Sequence, residues 1–93
     1  MFCAVRLELA LPYASSLKDK RQTLRSVKDR LRRKNISVVE SDHHDRWQRA
    51  TVELALAAVS SSAAVEKREE IRRQLLNYDE LVILEWREAF AKL

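Results

Sequence analysis

There is no glycine anywhere in the 93 residues. Glycine enters left-handed backbone without steric cost and lets a ligand or a second chain come close to the main chain. Without it the chain cannot build a phosphate-cradling P-loop, the GxGxxG turn of a dinucleotide-binding fold or the GxxG clamp of a KH domain. The common nucleotide-cofactor enzymes are therefore excluded, and no small-molecule cofactor is expected. Left-handed helix ends must also come from another residue. Asparagine is the next best choice, and Asn35 and Asn77 each follow a helical pattern.

Near the N-terminus Val5, Leu7, Leu9 and Leu11 alternate with Arg6, Glu8 and Ala10. Period two predicts a strand with one buried face, and Pro12 ends it because proline cannot continue a ladder. Ser15 and Ser16 then offer an N-cap, with Asp19 placed for a capping box. Leu17, Leu24, Val27 and Leu31 recur at helical spacing on one narrow stripe, predicting a first helix over Leu17–Lys34. Ile36–Glu40 reads as a second strand. Asp42–Asp45 reads as a polar turn, and Gln48–Val59 as a longer strand with Ala50, Val52, Leu54, Leu56 and Ala58 on its apolar side. The short connection makes strands 2 and 3 a hairpin. Ser60, Ser61 and Ser62 open a second helix over Ala63–Leu76, with apolar positions at Ala64, Val65, Ile71 and Leu75. Leu81–Leu84 forms a fourth strand, and Trp86 and Phe90 close the chain.

The order is β-α-β-β-α-β. Two right-handed βαβ crossovers around a central hairpin predict an α+β, ferredoxin-like plait: a four-stranded antiparallel sheet with both helices on one face. At this length one domain, residues 1–93, accounts for the chain. Hydrophobic residues at 46% and charged residues at 34% fit a globular fold and not a disordered one. Arg6 and Glu8 interrupt the apolar start, so it is neither a signal-peptide core nor a membrane span. Cys3 is the one cysteine. An unpaired thiol fits a reducing compartment, and the expected location is the cytoplasm. Cys3 itself reads as a small apolar residue on a strand.

Two segments resemble the signatures of the YlxP-like family of small bacterial proteins. Ser16-Leu17-Lys18-Asp19-Lys20-Arg21 is similar to that family's Ser-Leu-Lys-Glu-Lys-Arg segment, with Asp19 for Glu. Val38 to Ala50 is similar to its second signature, which usually ends Asp-Leu-Trp-Gln-Arg. Here His44 stands where Gln is usual and Arg46 where Leu is usual. The resemblance covers nearly the whole chain. It implies a ferredoxin-like fold, a cytoplasmic bacterial protein and no established biochemical activity. Members are often encoded beside translation-initiation and ribosome-maturation genes, which implies a link to RNA or the ribosome.

The charge distribution points the same way. The net charge is +4 and the isoelectric point about 9.6. From Leu17 to Lys34 nine Lys or Arg face only Asp19 and Asp29, a local +7, so the remainder nets −3. Lys18, Arg21, Arg25, Lys28 and Arg32 form a row beside the apolar stripe, suited to successive phosphates of a nucleic-acid backbone. The competing reading is a solvated face paired with Glu66, Glu69 and Glu70 of the second helix. The open sheet face offers Arg6, Glu8, Arg49, Thr51 and Glu53 in place of base-stacking aromatics, so RNA-recognition-motif binding is not expected.

Trp47 could stack on a base or a partner, or cap one end of the core. Arg49 could clamp a phosphate, or pair with Asp42 or Asp45 across the hairpin. Asp42, His43, His44 and Asp45 resemble a metal site in composition only. Adjacent side chains on extended backbone point apart, and no metal site is expected. A metal-dependent hydrolase using this turn is the least favoured reading. Most serines fall at helix caps, and with two adjacent His and no glycine-built oxyanion loop an enzyme is not expected. Strand 4 is apolar on both sides and strand 2 should be an edge. That suggests a homodimer, and a protein-interaction module as the alternative to RNA binding.

Overall fold

The computed structural model describes residues 1–93. Strand β1 (Phe2–Ala10) leads through a short loop to helix α1 (Leu17–Arg32). Strands β2 (Ser37–Asp42) and β3 (Arg49–Ala57) form the hairpin. Helix α2 (Ser61–Leu76) and strand β4 (Val82–Ala91) complete the chain. The sheet runs β2-β3-β1-β4 and every neighbouring pair is antiparallel. This is the expected ferredoxin-like arrangement, with β1 and β3 in the centre.

Alternation sets the layering. Cys3, Val5, Leu7 and Leu9 of β1 lie opposite Leu56, Leu54, Val52 and Ala50 of β3, and all eight are buried in one cluster. The helices complete that cluster with Leu24, Val27 and Leu31 from α1 and Ala64, Ile71 and Leu75 from α2. Val65, expected among them, is exposed. It lies about 100° around the helix from Ala64, which makes the close approach instead. Cys3 is buried and free, and burial pushes its thiol pKa up, as a packing residue requires.

Both helices begin at serine caps. Ser16 Oγ accepts from the Asp19 N–H at 3.1 Å and Ser60 Oγ from the Ala63 N–H at 3.2 Å. Their ends differ. Asn35 takes the left-handed conformation (φ 60°), and the Ile36 N–H then reaches back to the Leu31 carbonyl at 3.2 Å, which is how such a residue closes a helix. The helix therefore stops at Arg32, short of Lys34. Asn77 does not mirror Asn35. It stays right-handed (φ −84°), because the chain leaves α2 through a tight turn from the Tyr78 N–H to the Leu75 carbonyl.

Strand β4 is the main departure from expectation. It starts at Val82, after the buried Leu81, and runs through Trp86 and Phe90 to Ala91. Its pairing with β1 shifts between Glu8 and Leu9, so Leu84 bulges and Glu85–Ala91 continues in unbroken register. Trp86 and Phe90 thus lie on the sheet, on its helix side, opposite Leu7 and Cys3.

Candidate functional site

The two segments that carry the family resemblance meet in space. Counted at about 100° per residue, Lys20 falls inside the apolar arc of Leu17, Leu24, Val27 and Leu31, and its side chain is buried. On β2, Glu40 sits opposite Val52 and so shares the inner face with Val38. Lys20 Nζ meets Glu40 Oε2 at 2.8 Å and also donates to the His43 carbonyl. Sequence reasoning passed over both residues. The signal was present: a lysine in a leucine stripe and a glutamate in phase with Ile36 and Val38.

This pair anchors the β2–β3 loop against the start of α1. His43 adopts φ 61°, a left-handed value that costs a β-carbon residue about 1 kcal/mol, and Asp42 Oδ1 accepts its N–H at 2.7 Å. That bond holds the Asp42 carboxyl below its ordinary pKa, and the nearby imidazoles add to the effect. At the other end of the loop the Gln48 side-chain amide donates to the carbonyls of Pro12 and Ala14. The His43 ring turns toward the open sheet face, with Nε2 4.0 Å from Glu8 Oε2. That same oxygen accepts from the buried Thr51 hydroxyl at 2.8 Å. His44 Nε2 lies 2.9 Å from the Glu40 carbonyl oxygen. No three His, Cys, Asp or Glu side chains converge as a metal would require.

With Lys20 drawn inward, the remaining cations of α1 face out. Arg21, Arg25, Lys28 and Arg32 line a groove of about 260 Å³ between α1 and β2, with Leu24 and Glu40 also on its walls. Lys18 precedes the row at the N-terminal end of the helix. None of these five side chains has a carboxylate partner within ion-pair distance; Arg32 alone reaches a backbone oxygen, that of Val38, at 3.5 Å. The expected pairing with α2 is confined to the end of the segment, where Lys34 meets Glu70 and holds the Glu70 carboxyl below its ordinary pKa. Glu69 is taken by Arg68 of its own helix. The carboxylate in the groove, Glu40, already binds Lys20. The groove is therefore lined by four cations that no carboxylate pairs.

Arg49 lies outside this groove. It pairs with neither Asp42 nor Asp45. In the sheet it stands opposite Ala10, with its Nε buried and unpartnered. Trp47 does not cap the core: it is half exposed. Tyr13, in the loop that Gln48 grips, is also exposed. The open sheet face carries Arg6, Glu8, Glu85 and Arg87 around a depression of about 250 Å³. Its aromatic neighbours on β4, Trp86 and Phe90, belong to the other face.

A family model described as protein of unknown function, DUF503, matches residues 2–88. The uncharacterized protein YlxP of Bacillus subtilis is 40% identical over 67 residues, which span 71% of this chain and 70% of that protein. No helix is long and apolar enough to cross a membrane.

Proposed function

The chain belongs to the DUF503 family, and from that premise we propose that it is a non-enzymatic binding protein that associates with structured RNA, such as that of the ribosome, through the α1 groove. One observation carries the reading: Arg21, Arg25, Lys28 and Arg32 share one groove wall and none is neutralised by a carboxylate. A surface of that kind attracts phosphates and releases counterions when it binds them. From Lys18 to Arg32 the row spans about 21 Å of helix, at about 1.5 Å per residue, long enough to follow several phosphates. The open sheet face carries a single aromatic, Phe2 at the start of β1, too few for base-stacking readout, so contact through α1 would follow backbone shape and not base sequence.

The test is anisotropy of labelled ribosomal RNA with the purified chain across a salt series. Wild type should lose affinity with a log–log slope near −3 to −4, at about 0.7 to 0.9 per phosphate contact. Combined Arg21→Glu, Arg25→Glu and Arg32→Glu should weaken binding at least about a hundredfold and flatten the slope by two or three. Arg6→Ala with Arg87→Ala, on the open face, should change little. Equal binding by wild type and the triple variant at low salt refutes the proposal.

A further inference from the structure

The outer edge of β4 has no strand beside it. Edges of this kind are normally kept short or guarded by proline, lysine or a bulge. β2, at the opposite edge, follows that rule: it has six residues and a register shift between Glu40 and Asp42. β4 has ten residues, and beyond its bulge the stretch Glu85–Ala91 runs straight without proline or lysine, while its charges are already paired within the chain, Glu88 with Arg68 and Arg87 with Glu85. We infer that β4 pairs antiparallel with β4 of a second copy of this chain, about a twofold axis through Glu88, doubling the four-stranded sheet.

The sequence of the edge selects that axis. An antiparallel pair related by a twofold axis sets one residue opposite itself, and Glu88 is the midpoint of the straight stretch. Centring there pairs every residue from Glu85 to Ala91. On the helix side it sets Trp86 of each copy against Phe90 of the other. These are the aromatics that α2 leaves under-covered: Phe90 is 39% exposed and the guanidinium of Arg68 lies over its ring at 5.7 Å. On the open side Arg87 meets Ala89 and Glu85 meets Ala91, so no like charges oppose there. The self-opposed Glu88 is already neutralised, since both of its oxygens accept from Arg68 at 2.6 Å and one also accepts from the Trp86 indole at 3.0 Å. Moving the axis to Arg87 would oppose two exposed guanidiniums, set Trp86 against Glu88 and shorten the overlap.

An axis of this kind stands perpendicular to the sheet, so both copies keep their helices on one face and both α1 grooves open on that side. The dimer stands independently of the RNA reading. Seven paired residues per copy make a small interface, which places the dissociation constant in the micromolar range, about 1 to 100 µM.

Sedimentation equilibrium of the full chain across that range should show a monomer–dimer equilibrium. Phe90→Lys should weaken it about tenfold or more. Glu88→Cys should form a disulfide-linked dimer on mild oxidation, while Arg87→Cys should not, and the native Cys3, 1% exposed, should stay out of the reaction. A monomer at every concentration overturns the inference. So does a dimer indifferent to Phe90→Lys, or one that cross-links through Arg87→Cys in preference to Glu88→Cys.

Discussion

The two βαβ halves of the molecule use the same device to different ends. Each helix starts at a serine cap and spans 16 residues. Each carries one cation inside its apolar stripe, Lys20 in α1 and Arg68 in α2, and each cation reaches a glutamate on the helix side of an edge strand, Glu40 on β2 and Glu88 on β4. In the first half the pair is sealed, with the Lys20 side chain 2% exposed. In the second it stays open, with Arg68 20% and Glu88 24% exposed. The first half thereby uses the carboxylate on the groove wall internally and leaves the cations of the α1 row without an ion-pair partner. The second half turns its cations toward β4, with Arg68 over Phe90 and Arg72 over Trp86, and carries Glu66, Glu69 and Glu70 among them. The unequal charge of the two helices, seven Lys or Arg against two Asp in α1 and four against three Glu in α2, adds to this difference and yields a free basic groove on one side and a locally balanced surface on the other.

The sharpest way to break this comparison is to remove the cations one half at a time. Lys20→Met leaves Glu40 facing the core without its partner and takes the donor from the His43 carbonyl. It should cost about 3 to 5 kcal/mol, read as a drop in urea midpoint at constant slope. Lys20→Met with Glu40→Leu should recover most of that loss, because a packed apolar pair often replaces a buried ion pair at no net cost. Arg68→Met should cost about 1 kcal/mol or less, since Arg68 and Glu88 remain solvated. Equal losses at the two sites would show that the halves do not differ.

The same contrast holds for the outer charges, with a smaller effect on the fold. Reversing Arg72 and Arg73 on α2 should leave RNA affinity within about threefold, while the α1 triple reversal lowers it about a hundredfold, a difference of about 2 kcal/mol. If the two helices respond alike, the attraction follows net charge and not the groove. Below these lie the caps. Ser16→Ala and Ser60→Ala should each cost about 1 kcal/mol in thermal or denaturant unfolding, and Ser16→Ala the more of the two, because Asp19 continues the network there by accepting from both the N–H and the hydroxyl of Ser15.

Strands β1 and β3 were legible in the sequence because one face is apolar and the other polar, and period two shows directly. The C-terminal half of β4 was not. Its inner face alternates Trp86, Glu88 and Phe90, since the helix above presents Arg68 and Arg72 in place of leucines, so the apolar signal that marks a strand is missing. The groove was half legible. Five cations on one side of α1 follow from spacing alone, but their freedom from counter-charges depends on Glu40 turning inward to Lys20. That contact joins residues 20 positions apart, and a charge inside an apolar stripe reads as an interruption until its partner is seen. For Trp47 the sequence left two roles open, and its half exposure removes the core cap; the loop contacts made by Lys20 and Gln48 are ones that no local pattern announces.

The smallest effect separates the halves by pH. Three carboxyls are held below their ordinary pKa and all brace the first half: Asp19 through the hydroxyl and N–H of Ser15, Asp42 through the N–H of His43, and Glu70 through Lys34. A carboxyl whose folded pKa lies below its unfolded value contributes stability that is fully present above the unfolded value, about 3.9 for Asp and 4.3 for Glu, and that is lost as the pH falls through the folded value. Acid should therefore release the start of α1, the His43 turn and the tether at the end of α1, while the Ser60 cap of α2, with no acidic residue in its first turn, does not titrate. Hydrogen exchange between about pH 5 and pH 3, corrected for intrinsic rates, should show α1 losing protection at its ends before α2 does. Asp19→Asn should remove most of the pH dependence at the first turn of α1 and leave that of Glu70 in place. Parallel loss in both helices would mean that the carboxyls report global unfolding, and that the half with the buried pair is braced no differently from its counterpart.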